Sequence, residues 1–377
     1  MSVKFLHTAD WQMGMKAFVA GEKAKEVRAK RFETAARIVE LAKREGVEFV
    51  LLAGDLFEHH DVDDAVVRRT VAVLESFAPI PVFVLPGNHD PLTVGGIWDR
   101  HSWKRVGGHV TLLREADETP VREGIVLYSA PLKQKQSTLD PTAWMPARTA
   151  GDERIRIGLA HGALDVLPER TNFPIAANRV EEAGLDYFAL GDWHGFLQSG
   201  RTVYSGTMEQ TSFSEKDPGN VAVVDIARAG NEPIVSKHHV GTLHWNVHRP
   251  TIRDATDTEH LRRAILHAGP LRAQLLRITP QLDEALPADV LGELRSVRDE
   301  LQEEAFFLDW PQETLDAALD TQVILPEGLL STVDEEFGAI LEGRIPEGPA
   351  RAAAAAPPDI VKEARALLRR FVTEVQR

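Results

Sequence analysis

Residues 47–55 read VEFVLLAGD. From Val47 to Ala53 the run is apolar apart from Glu48, the pattern of a strand buried on both faces, and such strands belong to parallel sheets covered by helices. The run stops at Gly54-Asp55, which delivers a carboxylate to the strand's carboxyl end. Upstream, Val27, Phe32, Ala35, Ala36, Val39 and Ala42 share one side of a helical pattern and predict an amphipathic helix over Ala24–Glu45. Downstream, Asp63–Ser76 predicts a second helix, and Val3–His7 and Pro81–Leu85 predict the flanking strands. This βαβαβ order implies parallel strands joined by right-handed crossovers, hence an α/β fold. Beyond it the helices thin out. Short strand-like runs at 125–129, 155–160, 186–190, 202–205, 221–226 and 234–240, separated by Gly and Pro, predict a second, mixed sheet packed on the first.

A chain of 377 residues exceeds one ordinary domain. The texture changes near Arg249-Pro250, so 1–248 is expected to form one domain and 249–343 a smaller α+β unit with strands at Leu275–Thr279 and Phe306–Trp310. Residues 344–358 are rich in Ala, Pro and Gly and read as a linker. Residues 359–377 read as an amphipathic helix whose stripe is Ile360, Val361, Ala364, Leu367, Leu368, Phe371, Val372 and Val375. The formal charge of -14 is confined to one region. Between Gln281 and Gly343 stand 17 of the 57 acidic residues and 2 of the 43 basic ones, leaving the remainder at 40 and 41. The acidity therefore belongs to the accessory unit and does not repel phosphate elsewhere. There is no cysteine, which excludes disulfides and thiolate chemistry, and no long apolar run, which predicts no membrane span. The expected location is the cytoplasm.

Five motifs follow predicted strands: Asp10-Trp11-Gln12, Gly54-Asp55, Gly87-Asn88-His89-Asp90, His161-Gly162 and Gly191-Asp192-Trp193-His194. Open α/β sheets gather ligand groups at strand carboxyl ends. Each motif alone has a structural explanation as a turn or a satisfied surface residue. Their joint occurrence suits a two-metal hydrolase, in which a carboxylate such as Asp55 bridges two cations and further O and N donors fix each one. Residues at i and i+2 point the same way, so Asp10 with Gln12, and Asp192 with His194, reach one centre. Trp11 and Trp193 would then face away and pack. The cations lower the pKa of water for in-line attack on phosphorus, with His89 steadying or protonating the leaving oxygen and Asp90 orienting it.

In order and spacing these motifs resemble those of the calcineurin-like metallophosphoesterases over roughly residues 1–240. The opening HTADWQMG, then GDLF and LPGNHD with a C-terminal appendage, is similar to the nuclease subunits of SbcCD-type DNA repair complexes. The resemblance implies a four-layer αββα sandwich with an accessory capping domain. It implies one metal held by Asp10, Gln12, Asp55 and His194 and another by Asp55, Asn88, His161 and Asp192, with His89 as catalytic histidine. It further implies a homodimer, DNA as substrate, and docking of the trailing helix on an SbcC-like coiled-coil ATPase. Gln12 and Asp192 stand where the family pattern has histidines, making the donor set richer in oxygen and favouring Mn²⁺ or Mg²⁺. Glu58 stands where some relatives have a histidine beside the catalytic one.

Trp98, Arg100, Trp103, Lys104 and Arg105 mix aromatic and basic groups, a composition suited to stacking on bases and contacting phosphates, or equally to a core with solvated cations. The loop from Pro131 to Pro146, with Lys133 and Lys135, reads the same two ways. No GxxxxGK[ST], GxSxG or HExxH occurs, so P-loop, serine-hydrolase and zincin chemistries lack support. The sequence thus reads as a metal-dependent DNA phosphodiesterase, an exonuclease with some endonuclease activity. Two other readings stay open: a phosphodiesterase or phosphatase of a small phosphorylated molecule, and a catalytically weak scaffold for DNA ends or an ATPase.

Overall fold

The computed structural model describes residues 2–165, 172–283, 286–311, 315, 325 and 328–375. The chain divides into two compact units, Met1–Trp245 and Asn246–Arg377, parted just before the expected boundary at 248.

In the first unit the strands run, in chain order, β1 (Val3–Thr8), β2 (Phe49–Ala53), β3 (Val82–Leu85), β4 (Val110–Leu112), β5 (Asp117–Arg122), β6 (Ile125–Ala130) and β7 (Ile155–His161). They continue as β8 (Ala163–Leu164), β9 (Pro174–Ile175), β10 (Tyr187–Gly191), β11 (Leu197–Ser199), β12 (Thr202–Tyr204), β13 (Asn220–Ile226) and β14 (Ile234–His239). One sheet has the order β14-β13-β1-β2-β3-β4 and the other β11-β12-β10-β7-β6-β5. β1 to β4 are mutually parallel, and so are β6, β7 and β10, while β13, β14, β5 and β11 pair antiparallel.

The sheets pack face to face through the inward sides of the two sets of strands. Phe5, Phe49, Leu51 and Leu85 meet Leu127, Ile157, Tyr187 and Ala189, and Phe5 stacks on Phe49 with centroids 5.0 Å apart. The outer face of the first sheet is covered by α1 (Ala24–Glu45) and α2 (Asp64–Glu75). As expected, α1 buries Val27, Phe32, Ala35, Val39 and Ala42, but Ala36 is exposed, and Arg31 and Thr34 are buried in its place on the sheet side. On the second sheet the covering layer is thin: the five-residue helix α3 (Arg179–Ala183) and the loop through Met145. The αββα layering is therefore present. Its consequence is that β1, β2, β3, β7 and β10 all deliver their following residues to the carboxyl edge of the sandwich.

In the second unit Gln274–Ile278 pairs in parallel with Phe307–Asp309, and helices Ala255–His267 and Ala288–Glu304 contribute to a core containing Leu261, Ile265, Leu276, Leu291, Leu294 and Trp310. The segment expected to be a linker and a tethered helix is arranged differently. Helix Pro358–Val375 packs on helix Leu329–Leu341, and residues 351–355 form a 3₁₀ turn, with Ala350 N donating to Glu336 at 2.6 Å. Arg365 and Arg369 both grip Asp334, at 2.9 and 2.6 Å through Nη2. A lone helix of this length is marginal in water, and the neighbouring helix supplies the missing surface. The ion pair sets the rotation, so that Val361 and Val372 are buried while Ile360, Leu367 and Phe371 face outward. The predicted stripe is thus split between two faces, and the side chains of Arg370 and Val375 lie outside the described residues. Among the described residues no helix is long and apolar enough to cross a membrane.

Burial opposes ionisation of Asp334, but hydrogen bonds and charge from Arg369 and Arg365 bring its pKa down to about 2. A carboxylate whose pKa is depressed on folding contributes stability above its unfolded value of about 4, and that stability is lost as pH falls from there towards the folded value. Hydrogen exchange of residues 329–371 is expected to accelerate between about pH 4 and pH 2. Asp334→Asn is expected to weaken the helix pair by about 2 kcal/mol at neutral pH and to flatten that acid response. Unchanged exchange in the variant would mean that apolar contacts alone hold the pair.

Candidate metal centre

Four of the expected ligands sit on strained backbone. Asp10, Gln12, Asp55 and Asp192 have φ of 51°, 42°, 51° and 97°, a left-handed region that side chains other than glycine rarely adopt. Such strain persists where surroundings over-determine it, which is characteristic of functional sites. Here the loop after β1 is zipped to the loop after β2: Asp10 N donates to Gly54 O at 3.1 Å, Gln12 N to Asp55 O at 2.9 Å and Met13 N to Leu56 O at 2.9 Å. Arg31, fully buried on α1, reaches the same place and donates through Nε to Trp11 O at 3.0 Å and through Nη1 to Glu209 O at 2.9 Å. Asp192 N donates to both carboxylate oxygens of Asp10 at 3.2 Å, which ties the second sheet's loop to the first.

Ligand atoms of the buried residues Asp10, Asp55 and His161 all lie within 4.8 Å of one another. His161 donates from Nδ1 to Ala53 O at 2.9 Å, which turns Nε2 inward, 3.4 Å from Asp55 Oδ2 and 2.7 Å from Asn88 Oδ1. His194 is set the same way. Its Nδ1 meets Glu215 Oε1 at 2.6 Å and its Nε2 faces the Gln12 amide at 3.2 Å. A carbonyl or carboxylate behind each imidazole fixes the tautomer that leaves Nε2 available to a metal. The glycines of the motifs make room for this convergence: a Cβ on Gly87 would stand 2.2 Å from Asp55 Oδ1, and one on Gly191 would stand 1.9 Å from Ala53 O. Asp10, Asp55 and His161 therefore come together with the Asn88 amide oxygen, while Gln12 meets His194 Nε2 through its amide nitrogen. That set fits a divalent cation. The Asp192 carboxylate acts on Asp10 and His161 through its charge.

Electrostatics point the same way. Burial pushes Asp10 up to about 7 against the pull of His161 and His194. Burial also opposes ionisation of Asp55, yet the charge and hydrogen bond of His161, with help from His89, hold it below the usual range. His161 is raised well above its ordinary value because Asp55, Asp10 and Asp192 outweigh its desolvation. Packed carboxylates in a dry site are costly unless positive charge lies among them, and a divalent cation supplies it.

His89 lies at the edge of this centre. Its amide donates to Asp55 Oδ1 at 2.9 Å, and its ring Nδ1 donates to Glu58 O at 2.9 Å with Glu58 Oε1 3.8 Å away. Glu58 thus takes the orienting role expected of Asp90. The Asp90 carboxylate is buried and accepts the amides of Gly87 at 2.8 Å and Phe57 at 2.9 Å, so it braces the loop and does not touch the His89 ring. Burial and the Asp55 charge raise Asp90 to about 8 despite those amides.

The aromatic and basic cluster at 98–105 also needs correction. Trp98 and Trp103 are core residues, 4.7 Å apart by ring centroid and edge-on to Phe57, and Trp98 Nε1 donates to Asp90 O. They present no face to a base. Arg100 is spent on the carbonyls of Val62 and His60, while Lys104 and Arg105 are exposed. In the 131–146 loop Lys133 pairs with Glu115 at 2.7 Å. Sequence reasoning missed Glu215 and Arg31. The one available signal was an arginine inside the apolar stripe of α1.

A family model for calcineurin-like phosphoesterases matches residues 3–243. The metallophosphoesterase YhaO of Bacillus subtilis is 25% identical over 208 residues, 50% of this chain and 48% of that protein. The DNA double-strand break repair protein Mre11 of Methanosarcina mazei is 25% identical over 257 residues, 64% of this chain and 39% of that protein. That of Sulfurisphaera tokodaii is 24% identical over 292 residues, 70% of this chain and 72% of that protein. The alignments thus span less than half the length of the first two relatives. Because the family model covers more than half of the chain, the chain belongs to the calcineurin-like phosphoesterase family.

Proposed function

We propose that this chain is a DNA phosphodiesterase acting with two divalent cations, Mn²⁺ before Mg²⁺, as an exonuclease with some endonuclease activity in DNA repair. The observation that carries the reading is the convergence of Asp10, Asp55 and His161 within 4.8 Å, flanked by Asn88, Gln12 and His194. Asp10, Gln12, Asp55 and His194 would hold one cation, and Asp55, Asn88, His161 and Asp192 the other. Bound cations supply a lowered water pKa and charge neutralisation at the phosphoryl group. The chain's own part is to fix those donors, exclude water through the buried strand ends, and hold the His89 ring by Glu58 so that Nε2 is free for the leaving oxygen.

DNA as substrate is supported by the repair proteins among the relatives. A homodimer and a coiled-coil ATPase partner belong to the same reading, as does a cytoplasmic location. The outward residues Ile360, Leu367 and Phe371 give such an ATPase an apolar face on the terminal helix pair. The deciding experiment is cleavage of single-stranded and duplex oligonucleotides with Mn²⁺, Mg²⁺ or chelator. Metal-dependent cleavage abolished by chelator is expected. Hydrolysis of aryl phosphodiesters with intact oligonucleotides would reject DNA as the substrate.

A further inference from the structure

Two polar side chains, Arg31 and Thr34, stand on the sheet side of α1, where the helical stripe calls for apolar residues, and both are buried. They reach one target, the segment 207–210 between β12 and β13. Arg31 Nη1 donates to Glu209 O at 2.9 Å, and Thr34 Oγ1 donates to the Glu209 carboxylate. That carboxylate is itself buried and also accepts Thr242 N and Leu243 N, each at 2.9 Å. The other N–H groups of Arg31 turn to the loop after β1: Nε donates to Trp11 O at 3.0 Å, and Nη2 to Trp11 O and Asp10 O. Thr207 completes the joint. Its Oγ1 donates to Asp10 O at 2.8 Å and its amide to His194 O at 2.9 Å.

A cation buried in this way is costly to keep. Among the described residues the hydrogen bonds of Arg31 go to carbonyls and to the Thr207 hydroxyl, and none goes to a carboxylate. Burial pulls its pKa down, and the charges of Glu209, Glu215, Glu58 and Asp10 act the other way. What the contacts supply is geometric. Asp10 and Gln12 have φ of 51° and 42°, so the chain leaves the strand ladder there, and the carbonyls of Asp10 and Trp11 need other donors. A planar fork with fixed N–H directions meets Trp11 O and Glu209 O together, whereas a lysine ammonium is a single point on a flexible stem. Through Thr207 the same joint reaches His194 O, so the arm carrying Asp10 and Gln12 and the arm carrying His194 are held to one piece of chain. The arms touch where Gln12 Nε2 lies 3.2 Å from His194 Nε2.

We propose that Arg31 is a positioning residue for cation uptake: together with Thr207 it fixes the Asp10–Gln12 arm against the His194 arm, and cation affinity depends on that fit. The inference rests on the metal-dependent reading and assigns part of its affinity to residues outside the ligand set. The test measures Mn²⁺ affinity of the full chain by calorimetry, well below the melting temperature of every variant. Arg31→Lys keeps the charge and loses the fork, and is expected to raise the Mn²⁺ Kd by about 10- to 100-fold, the range for a group that orients a metal ligand. Thr207→Val removes one hydroxyl at nearly constant volume and is expected to raise it by about fivefold. Arg156→Lys is the control. Arg156 is similarly buried, at the other end of β7 from His161, and donates to Asp152 and to Pro146 O. Its replacement should lower the melting temperature and leave the Kd at the parent value. Hydrogen exchange of the cation-free chain gives a second readout: amides of residues 10–13 should exchange faster in Arg31→Lys and at the parent rate in Arg156→Lys. An Arg31→Lys chain that melts lower yet binds Mn²⁺ as the parent does would make Arg31 a core residue and overturn the assignment. Where Arg31→Lys does not fold, Thr207→Val decides alone, and an unchanged Kd in it overturns the assignment. A parent chain that takes up no Mn²⁺ rejects the metal-dependent reading itself, and the assignment with it.

Discussion

His89→Ala is expected to lower phosphodiester turnover by about 10²- to 10⁴-fold while cation uptake, followed by calorimetry, stays at the parent level. The separation follows from where the histidine stands. Its side chain is 34% exposed and contributes no atom to the Asp10–Asp55–His161 cluster. Its amide braces Asp55 Oδ1, and alanine keeps that amide. The ring bond from Nδ1 to Glu58 O leaves Nε2 for proton transfer, and this alone is lost in the variant. Parent-level turnover in His89→Ala would remove the histidine from the chemistry.

The architecture was legible where one period dominated. β2 could be read because its apolar run is buried on both faces, and α1 because its helical stripe is long and regular. Asp10, Asp55, His161 and His194 were legible because each follows a strand at the edge where the sheets end together. What the sequence could not show is what neighbours do to a side chain once it is packed. Trp98 and Trp103 alternate with cations along the chain, but Phe57, from another loop, fills the space that makes them core. Asp90 stands next to His89 in sequence, yet the unpaired amides of Gly87 and Phe57 claimed its carboxylate first, as buried backbone donors must be met. Arg31 and Glu215 act across 20 residues or more on groups of other segments, Trp11 O and His194 Nδ1, and no local pattern encodes such a contact. The terminal helix was legible as a helix, Pro358–Val375, but not its packing on Leu329–Leu341, because amphipathicity tells how much surface needs cover without telling which element covers it.

Asp55→Ala is expected to have the larger effect of the two, abolishing cation uptake and lowering turnover by more than about 10³-fold, the scale of losing several kcal/mol of charge stabilisation. Asp55 is central in a literal sense. It lies 3.4 Å from His161 Nε2, takes the His89 amide, and is approached so closely by Gly87 that no side chain fits there. On the proposed ligand set Asp55 would bridge two cations and its loss would remove both, whereas Gln12→Ala would remove a donor from one. Thermal unfolding distinguishes this from simple misfolding. Asp55 is 2% exposed, and its removal also relieves repulsion with Asp10 and Asp90, both of which its charge pushes upward. The cation-free variant should therefore unfold within a few degrees of the parent, because lost hydrogen bonds and relieved repulsion offset one another. Saturating Mn²⁺ should stabilise the parent by about 3 kcal/mol at a hundredfold excess over Kd and leave the variant unmoved. A variant that still gained stability from Mn²⁺ would show that Asp10, Asn88 and His161 hold a cation without the bridge, and the two-cation reading would give way to a single site.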